Sequence, residues 1–209
     1  MQDKEATPGL LSGVRVLDFT QYLAGPTVTR LMAEMGAEII KVEHAPGGDP
    51  ARILPVVKDG RSGYYIQQNR GKQSLCLDLK KEESVQILLE LIPKVDVVVE
   101  NYGEGVMERR GMDWETIHKI NPRVVMASIS AFGRTGPYKH KTGYDFIAQA
   151  FSGMMHMTGD PDGPPYMVGF GIADQTAGLH AFAAIGYALF ARNQTGRGQY
   201  IDLSMVDAL

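Results

Sequence analysis

The segment Gly171-Ile172-Ala173-Asp174-Gln175-Thr176-Ala177-Gly178 sets one carboxylate at the start of a long apolar run. From Ile172 to Asn193 the chain is mostly Ala, Leu, Phe, Ile and Gly, and its acidic and basic side chains are Asp174, His180 and Arg192. That composition predicts a helix buried nearly all round. A carboxylate in the first turn faces unpaired backbone N–H groups and the positive end of the helix dipole, and both favour the ionised form. Asp174 is therefore expected to stay ionised at neutral pH, where a carboxylate can attack an electrophile without first losing a proton. Asp is also a preferred helix cap, so a purely structural role fits the same position.

Other residues capable of chemistry are sparser. Asn101-Tyr102-Gly103-Glu104-Gly105, with Arg109 just beyond, forms a glycine-bearing turn suited to a phosphate; it lacks the third glycine of a dinucleotide fingerprint. There is no Gly-Lys-Ser/Thr of a P-loop and no Gly-x-Ser-x-Gly nucleophile elbow. The five histidines, at positions 44, 118, 140, 156 and 180, show no metal spacing with one another or with Cys76, so no metal is assigned. His180 and His156 read as packed core histidines. Met154, Met155 and Met157 read as adaptable packing at a pocket edge.

The elements that must position these residues alternate. Val14 to Phe19 reads as a strand, Thr27 to Met35 as a helix with Pro26 in its first turn, and Ala37 to Val42 as a second strand. A loop rich in Gly, Pro and charge runs from His44 to about Ser62, long enough to be functional. Then come a strand (74–79), a helix (81–94), a fully apolar strand (95–99), short helices up to Arg110 and over 114–120, and a strand (123–129). Helix-like sequence at 144–155, the long apolar helix and a strand at 200–205 complete the series, and a further helix is just beginning at 205–209. The reading is an α/β fold: an open, doubly wound, mostly parallel Rossmann-like sheet with flanking helices. Ligands then collect beyond the C-terminal strand ends, in the loops 20–25, 43–52, 100–105 and 130–136.

Composition sets the bounds. The chain has 209 residues, 44% hydrophobic and 22% charged, which is globular material. A net charge of -3 and a pI near 6.0 give no basic footprint for nucleic acid. The lone cysteine, Cys76, is expected inside a buried strand, in keeping with a reducing cytoplasm. No stretch reads as a membrane span or a signal peptide, and residues 1–10 are expected to be flexible ahead of a single unit over 11–209.

Several short segments together resemble the class III coenzyme A transferases, the formyl-CoA transferase and carnitine CoA-transferase group. They are Leu17-Asp18-Phe19-Thr20 with Ala24-Gly25-Pro26, Ile40-Lys41-Val42-Glu43, Val99-Glu100-Asn101-Tyr102, Gly143-Tyr144-Asp145, Ala173-Asp174 and Thr195-Gly196-Arg197-Gly198-Gln199. The resemblance runs in order from about Leu11 to Leu209. It implies that Asp174 is a catalytic nucleophile that attacks an acyl-CoA and forms first an aspartyl anhydride, then an aspartyl-CoA thioester. By position it also implies CoA contacts at His44, Leu77, Lys80, Asn101, Arg109 and Tyr144. His44 stands where the formyl-CoA enzyme has arginine, with Lys41 or Arg52 as possible substitutes. Leu23 replaces a glutamine used there, which points away from formyl-CoA itself.

The substrates implied are an acyl-CoA and a carboxylic acid, with no tightly bound cofactor, no nucleic acid and no membrane. Family chains are about twice this length, with a smaller second domain that is absent here, and they pair as interlocked homodimers; a second subunit could also supply the missing half. Two other functions remain open. The α-methylacyl-CoA racemases share the fold but carry histidine at the position of Tyr144, and tyrosine, with a pKa near 10, is a poor base at neutral pH. The other is a non-catalytic CoA-binding or assembly subunit.

Overall fold

A computed structural model describes residues 8–209, so most of the terminus expected to be flexible lies outside the described residues. The main sheet is built from β1 (Arg15–Asp18), β2 (Glu38–His44), β5 (Gln73–Leu77), β6 (Val97–Glu100), β7 (Val125–Ser130) and β8 (Tyr200–Ser204). These lie in the order β5-β2-β1-β6-β7-β8, and every neighbouring pair is parallel. That is the doubly wound order of a dinucleotide-binding sheet, in which the winding reverses between the first and fourth strands, here β1 and β6.

Alternation along the strands sends side chains into two cores. Val16, Val97 and Val99 face α1 (Ala24–Glu34) and α6 (Ile172–Thr195), where they meet Val28, Met32, Ala177 and Ile185. Leu17, Phe19 and Val98 face the opposite layer, meeting Leu88 of α3 (Glu82–Leu91) and Ile117 of α4 (Trp114–Ile120). β6 is buried along its whole length, as its unbroken Val run requires of a strand covered on both faces. The close crossing of α1 and α6 depends on Gly178, where a Cβ would lie 2.8 Å from Thr27 Cβ and 2.9 Å from the Ala24 carbonyl oxygen.

α6 is not buried all round. Its buried stripe is Ala173, Ala177, Gly178, Ala181, Ile185, Ala188, Leu189 and Arg192, while Leu179, Tyr187 and Phe190 are 55%, 76% and 64% exposed. Apolar composition alone does not say how many sides of a helix find a partner. Cys76 is exposed, because β5 is the edge of the sheet and the face that carries Cys76 is uncovered. His156 and His180 are exposed rather than packed in a core. The 144–155 helix shortens to α5 (Asp145–Phe151), and residues 205–208 form turns, not a helix.

The long loop after β2 contains a 3-10 turn at Pro50–Ile53 and a small hairpin of β3 (Val57–Lys58) and β4 (Arg61–Ser62). It leads into α2 (Gly63–Asn69), which the sequence reading missed. α2 is short and opens Gly-Tyr-Tyr, so apolar periodicity has no length over which to show; its signal was Ser62, whose Oγ accepts from the Tyr65 N–H at 3.2 Å.

Candidate active site at the switch point

Because β1 and β6 are neighbours with connections that depart in opposite directions, the loops that follow them splay apart and leave a crevice. Asn101 ties the two loops together: its Oδ1 accepts from the Gln21 N–H at 2.8 Å and its Nδ2 donates to the Gln21 carbonyl at 2.9 Å. Beside this bridge lies a cavity of about 320 Å³ that brings Tyr22, Leu23, Asn101, Tyr144 and Asp174 to one place. Arg134 braces its far wall, since its guanidinium donates to Glu100 Oε1 at 2.7 Å, the Tyr102 carbonyl at 3.0 Å and Ser128 Oγ at 2.7 Å.

Asp174 is the third residue of α6, yet it is not the cap. The N–H groups of Ala173 and Asp174 donate to Asp145 Oδ1 at 2.7 and 3.1 Å. Asp145 is nearly buried at 9% exposure, and Gln149 Nε2 holds its other oxygen at 2.5 Å. The cap of α6 therefore comes from the start of α5, 28 residues upstream of the first amide it serves.

This reverses the expectation that Asp174 stays fully ionised. Burial, and then the negative charge of Asp145, push its carboxyl up to about 7. The N–H groups that were to hold it ionised are occupied by Asp145. Both carboxylates flank Gly171, whose missing Cβ would sit 3.6 Å from Asp174 Oδ2, 3.7 Å from Asp145 Oδ1 and 2.6 Å from Leu23 Cδ2. A side chain at Gly171 would thus press on Leu23 and crowd both acids. Burial, with Asp174 next and then Asp49 and Asp145, also holds the phenol of Tyr64 protonated well beyond its usual range.

Of the residues implicated by sequence, Asn101, Tyr144 and Asp174 share the cavity. Tyr144 is 60% exposed and meets Tyr22 edge-on, ring centroids 5.8 Å apart and planes at 80°. Lys80 and Arg109 lie apart from it, in a second cavity of about 520 Å³ with Lys81 and Arg110. His44 and Leu77 face each other across the ends of β2 and β5 and line neither cavity. Lys41 and Arg52 are not free to replace an arginine at His44: Lys41 is buried 2.9 Å from Asp49 Oδ2, and Arg52 grips Glu43 at 2.6 and 2.7 Å.

Asp145 is a site residue that sequence reasoning missed. Asp145 stood inside a recognised Gly-Tyr-Asp segment, but nothing local shows that its side chain reaches a helix so far along the chain. Among the described residues no group of three or more His, Cys, Asp or Glu side chains is arranged to hold a metal.

A model of CoA-transferase family III matches residues 11–209. A curated acetyl-CoA:oxalate CoA-transferase of Acetobacter aceti is 44% identical over 97% of this chain and 54% of its own length. The succinyl-CoA:glutarate CoA-transferase of Mus musculus is 42% identical over 95% of this chain and 46% of its own. A succinyl-CoA:mesaconate CoA-transferase of Haloarcula hispanica is 46% identical over 96% and 53%. Among solved structures, a CAIB/BAIF family protein from Brucella suis superposes with a TM-score of 0.92 at 38% identity, over 97% of this chain and 55% of that one. The chain spans about half the length of the curated relatives it matches.

Proposed function

The chain belongs to CoA-transferase family III, and from that premise we propose that Asp174 is the nucleophile of a CoA transfer between an acyl-CoA and a carboxylic acid. The observation that carries this reading is a carboxylate held in the switch-point cavity, poised near neutrality by burial and by Asp145. In its ionised form an oxygen of Asp174 attacks the thioester carbonyl. The C–S bond breaks, CoA leaves as thiolate, and an aspartyl mixed anhydride remains.

The thiolate then attacks the Asp174 carbonyl carbon and expels the donor acid as its carboxylate, leaving an aspartyl-CoA thioester. An acceptor carboxylate attacks that thioester, and the released thiolate takes the acceptor acyl group and restores Asp174. No net proton is consumed. The negative oxygen formed at each addition needs donors, and Asp145 occupies the first amides of α6. The start of α1 has no side-chain cap, and its Ala24 lines the same cavity, so its backbone N–H groups are the donors this reading assigns.

The acceptor assigned is a short dicarboxylic acid. The names of the relatives include oxalate, glutarate and mesaconate, and Lys139 and Lys141 line the cavity that holds Asp174, where they can meet a second carboxylate. Lys80, Arg109, His44 and Leu77 are assigned to the nucleotide end of CoA, outside the reacting cavity. The reading also includes the interlocked homodimer that the family resemblance implies; sedimentation of the complete polypeptide as a monomer would overturn that part.

Incubating the complete polypeptide with succinyl-CoA and a panel of mono- and dicarboxylic acids tests the reaction. New acyl-CoA should form fastest with a dicarboxylate and be lost in Asp174→Asn, while CoA binding is kept. Exchange of an α-proton of a branched acyl-CoA without transfer would identify a racemase instead, and binding without either reaction a non-catalytic subunit.

A further inference from the structure

Among the described residues, two that are not glycine have positive φ: Tyr22 at 62° and Asp59 at 50°. Asp59 lies in an exposed hairpin turn. Tyr22 lies in the loop between β1 and α1, between Gln21, which is bonded to Asn101, and Leu23, which leans over Gly171. A bulky aromatic residue in the left-handed region is strained and persists only where its surroundings over-determine it.

A buried charge cluster supplies that constraint. Asp49 Oδ1 accepts from the Tyr22 N–H at 3.3 Å and from the Ala51 N–H at 2.9 Å. Its Oδ2 lies 2.9 Å from Lys41 Nζ, an ion-pair contact whose angles fall outside hydrogen-bond geometry. Lys41 Nζ in turn donates to the Thr20 carbonyl at 2.6 Å, so the pair grips the loop on both sides of Gln21. Both side chains are 1% exposed.

Asp49 is itself fixed, because its N–H donates to Glu43 Oε2 at 2.8 Å. Glu43 is anchored by Arg52, Tyr65 and Ser74, each between 2.6 and 2.7 Å. Gly48 permits this closeness: a Cβ there would come within 2.6 Å of Glu43 Oε2 and 2.7 Å of Arg52 Nε.

We propose that Asp49 is a positioning residue for the reaction site: paired with Lys41, it holds the Tyr22 backbone in its left-handed conformation. This sets the Tyr22 ring edge-on to Tyr144 and fixes Leu23 as a wall beside Asp174. Its kinetic consequence rests on the proposed CoA transfer; its conformational content does not. The long loop after β2 thereby has a task, which is to carry Asp49 from the end of β2 back beneath the switch point.

The test is a double-mutant cycle in the complete polypeptide between Asp49→Ala and Tyr22→Gly, because glycine adopts the left-handed conformation without help. Acylation of Asp174 by succinyl-CoA should slow about tenfold or more in Asp49→Ala, and the same substitution should cost less than about twofold in the Tyr22→Gly background. Equal losses in both backgrounds would overturn the proposal. Exchange of the Tyr22 amide hydrogen, followed by NMR, reads the contact whether or not acylation occurs. It should quicken about tenfold or more in Asp49→Ala, and unchanged exchange would also overturn the proposal. If Asp49→Ala does not fold, Asp49→Leu combined with Lys41→Met removes the acceptor and the ion pair together without stranding a charge. Exchange of the Tyr22 amide should quicken there as well, and unchanged exchange would overturn the proposal.

Discussion

Asp174 and Asp145 divide two tasks that one aspartate could have been thought to share. Asp145 caps the helix and Asp174 is left uncapped beside it, so the proton on Asp174 is held more tightly in the folded chain than in the unfolded one. With the folded value at about 7 and the ordinary value at 3.8, stability falls as pH rises between the two and levels off above the higher. Asp174→Asn should flatten that slope in denaturant titrations at several pH values, while cutting the proposed transfer by about a thousandfold or more. The rate of transfer should rise with pH through about 7, because only the carboxylate attacks. In Asp145→Asn, which keeps an acceptor for the two amides but removes the like charge, the rising limb should move to lower pH. A limb that stays in place would show that Asp145 does not set the charge on Asp174.

At the scale of elements, the crossing of α1 and α6 brings Ala24 and Asp174, near the starts of the two helices, to one cavity. Gly178→Ala sets a methyl against Thr27 and the Ala24 carbonyl, and should destabilise the chain by about 1–3 kcal/mol in urea unfolding as the helices separate. The sheet was legible in the sequence because its strands are runs such as Val97-Val98-Val99, whose periodicity is local, and because strand-helix alternation leaves few ways to wind them. What was not legible depended on distance or on missing partners. The Asp145 cap joins residues far apart in the chain, and nothing local pairs Lys41 on β2 with Asp49 in the loop beyond it. The 144–155 helix was overextended because Gly153, at φ 84°, belongs to the turns after α5 and leaves no trace in apolar spacing.

For the whole molecule, the chain covers about half of its relatives' length, and the sheet, the switch point and Asp174 all lie within that half. No helix of the described residues is long and apolar enough to cross a membrane. α6 leaves Tyr187 and Phe190, which line an apolar groove of about 470 Å³, open to solvent. The 209-residue chain should therefore bind a hydrophobic dye in its native state, and Tyr187→Ser with Phe190→Ser should lower that fluorescence without lowering the unfolding midpoint. The central claim, that Asp174 is acylated during turnover, is tested most directly by trapping. The complete polypeptide is mixed with succinyl-CoA, an acceptor dicarboxylic acid such as glutarate, and hydroxylamine, then digested, and the peptide that carries Asp174 is weighed and sequenced by mass spectrometry. A hydroxamate on the Asp174 side chain, formed only when succinyl-CoA is present, is the result predicted; steady formation of new acyl-CoA with Asp174 left unmodified would contradict it.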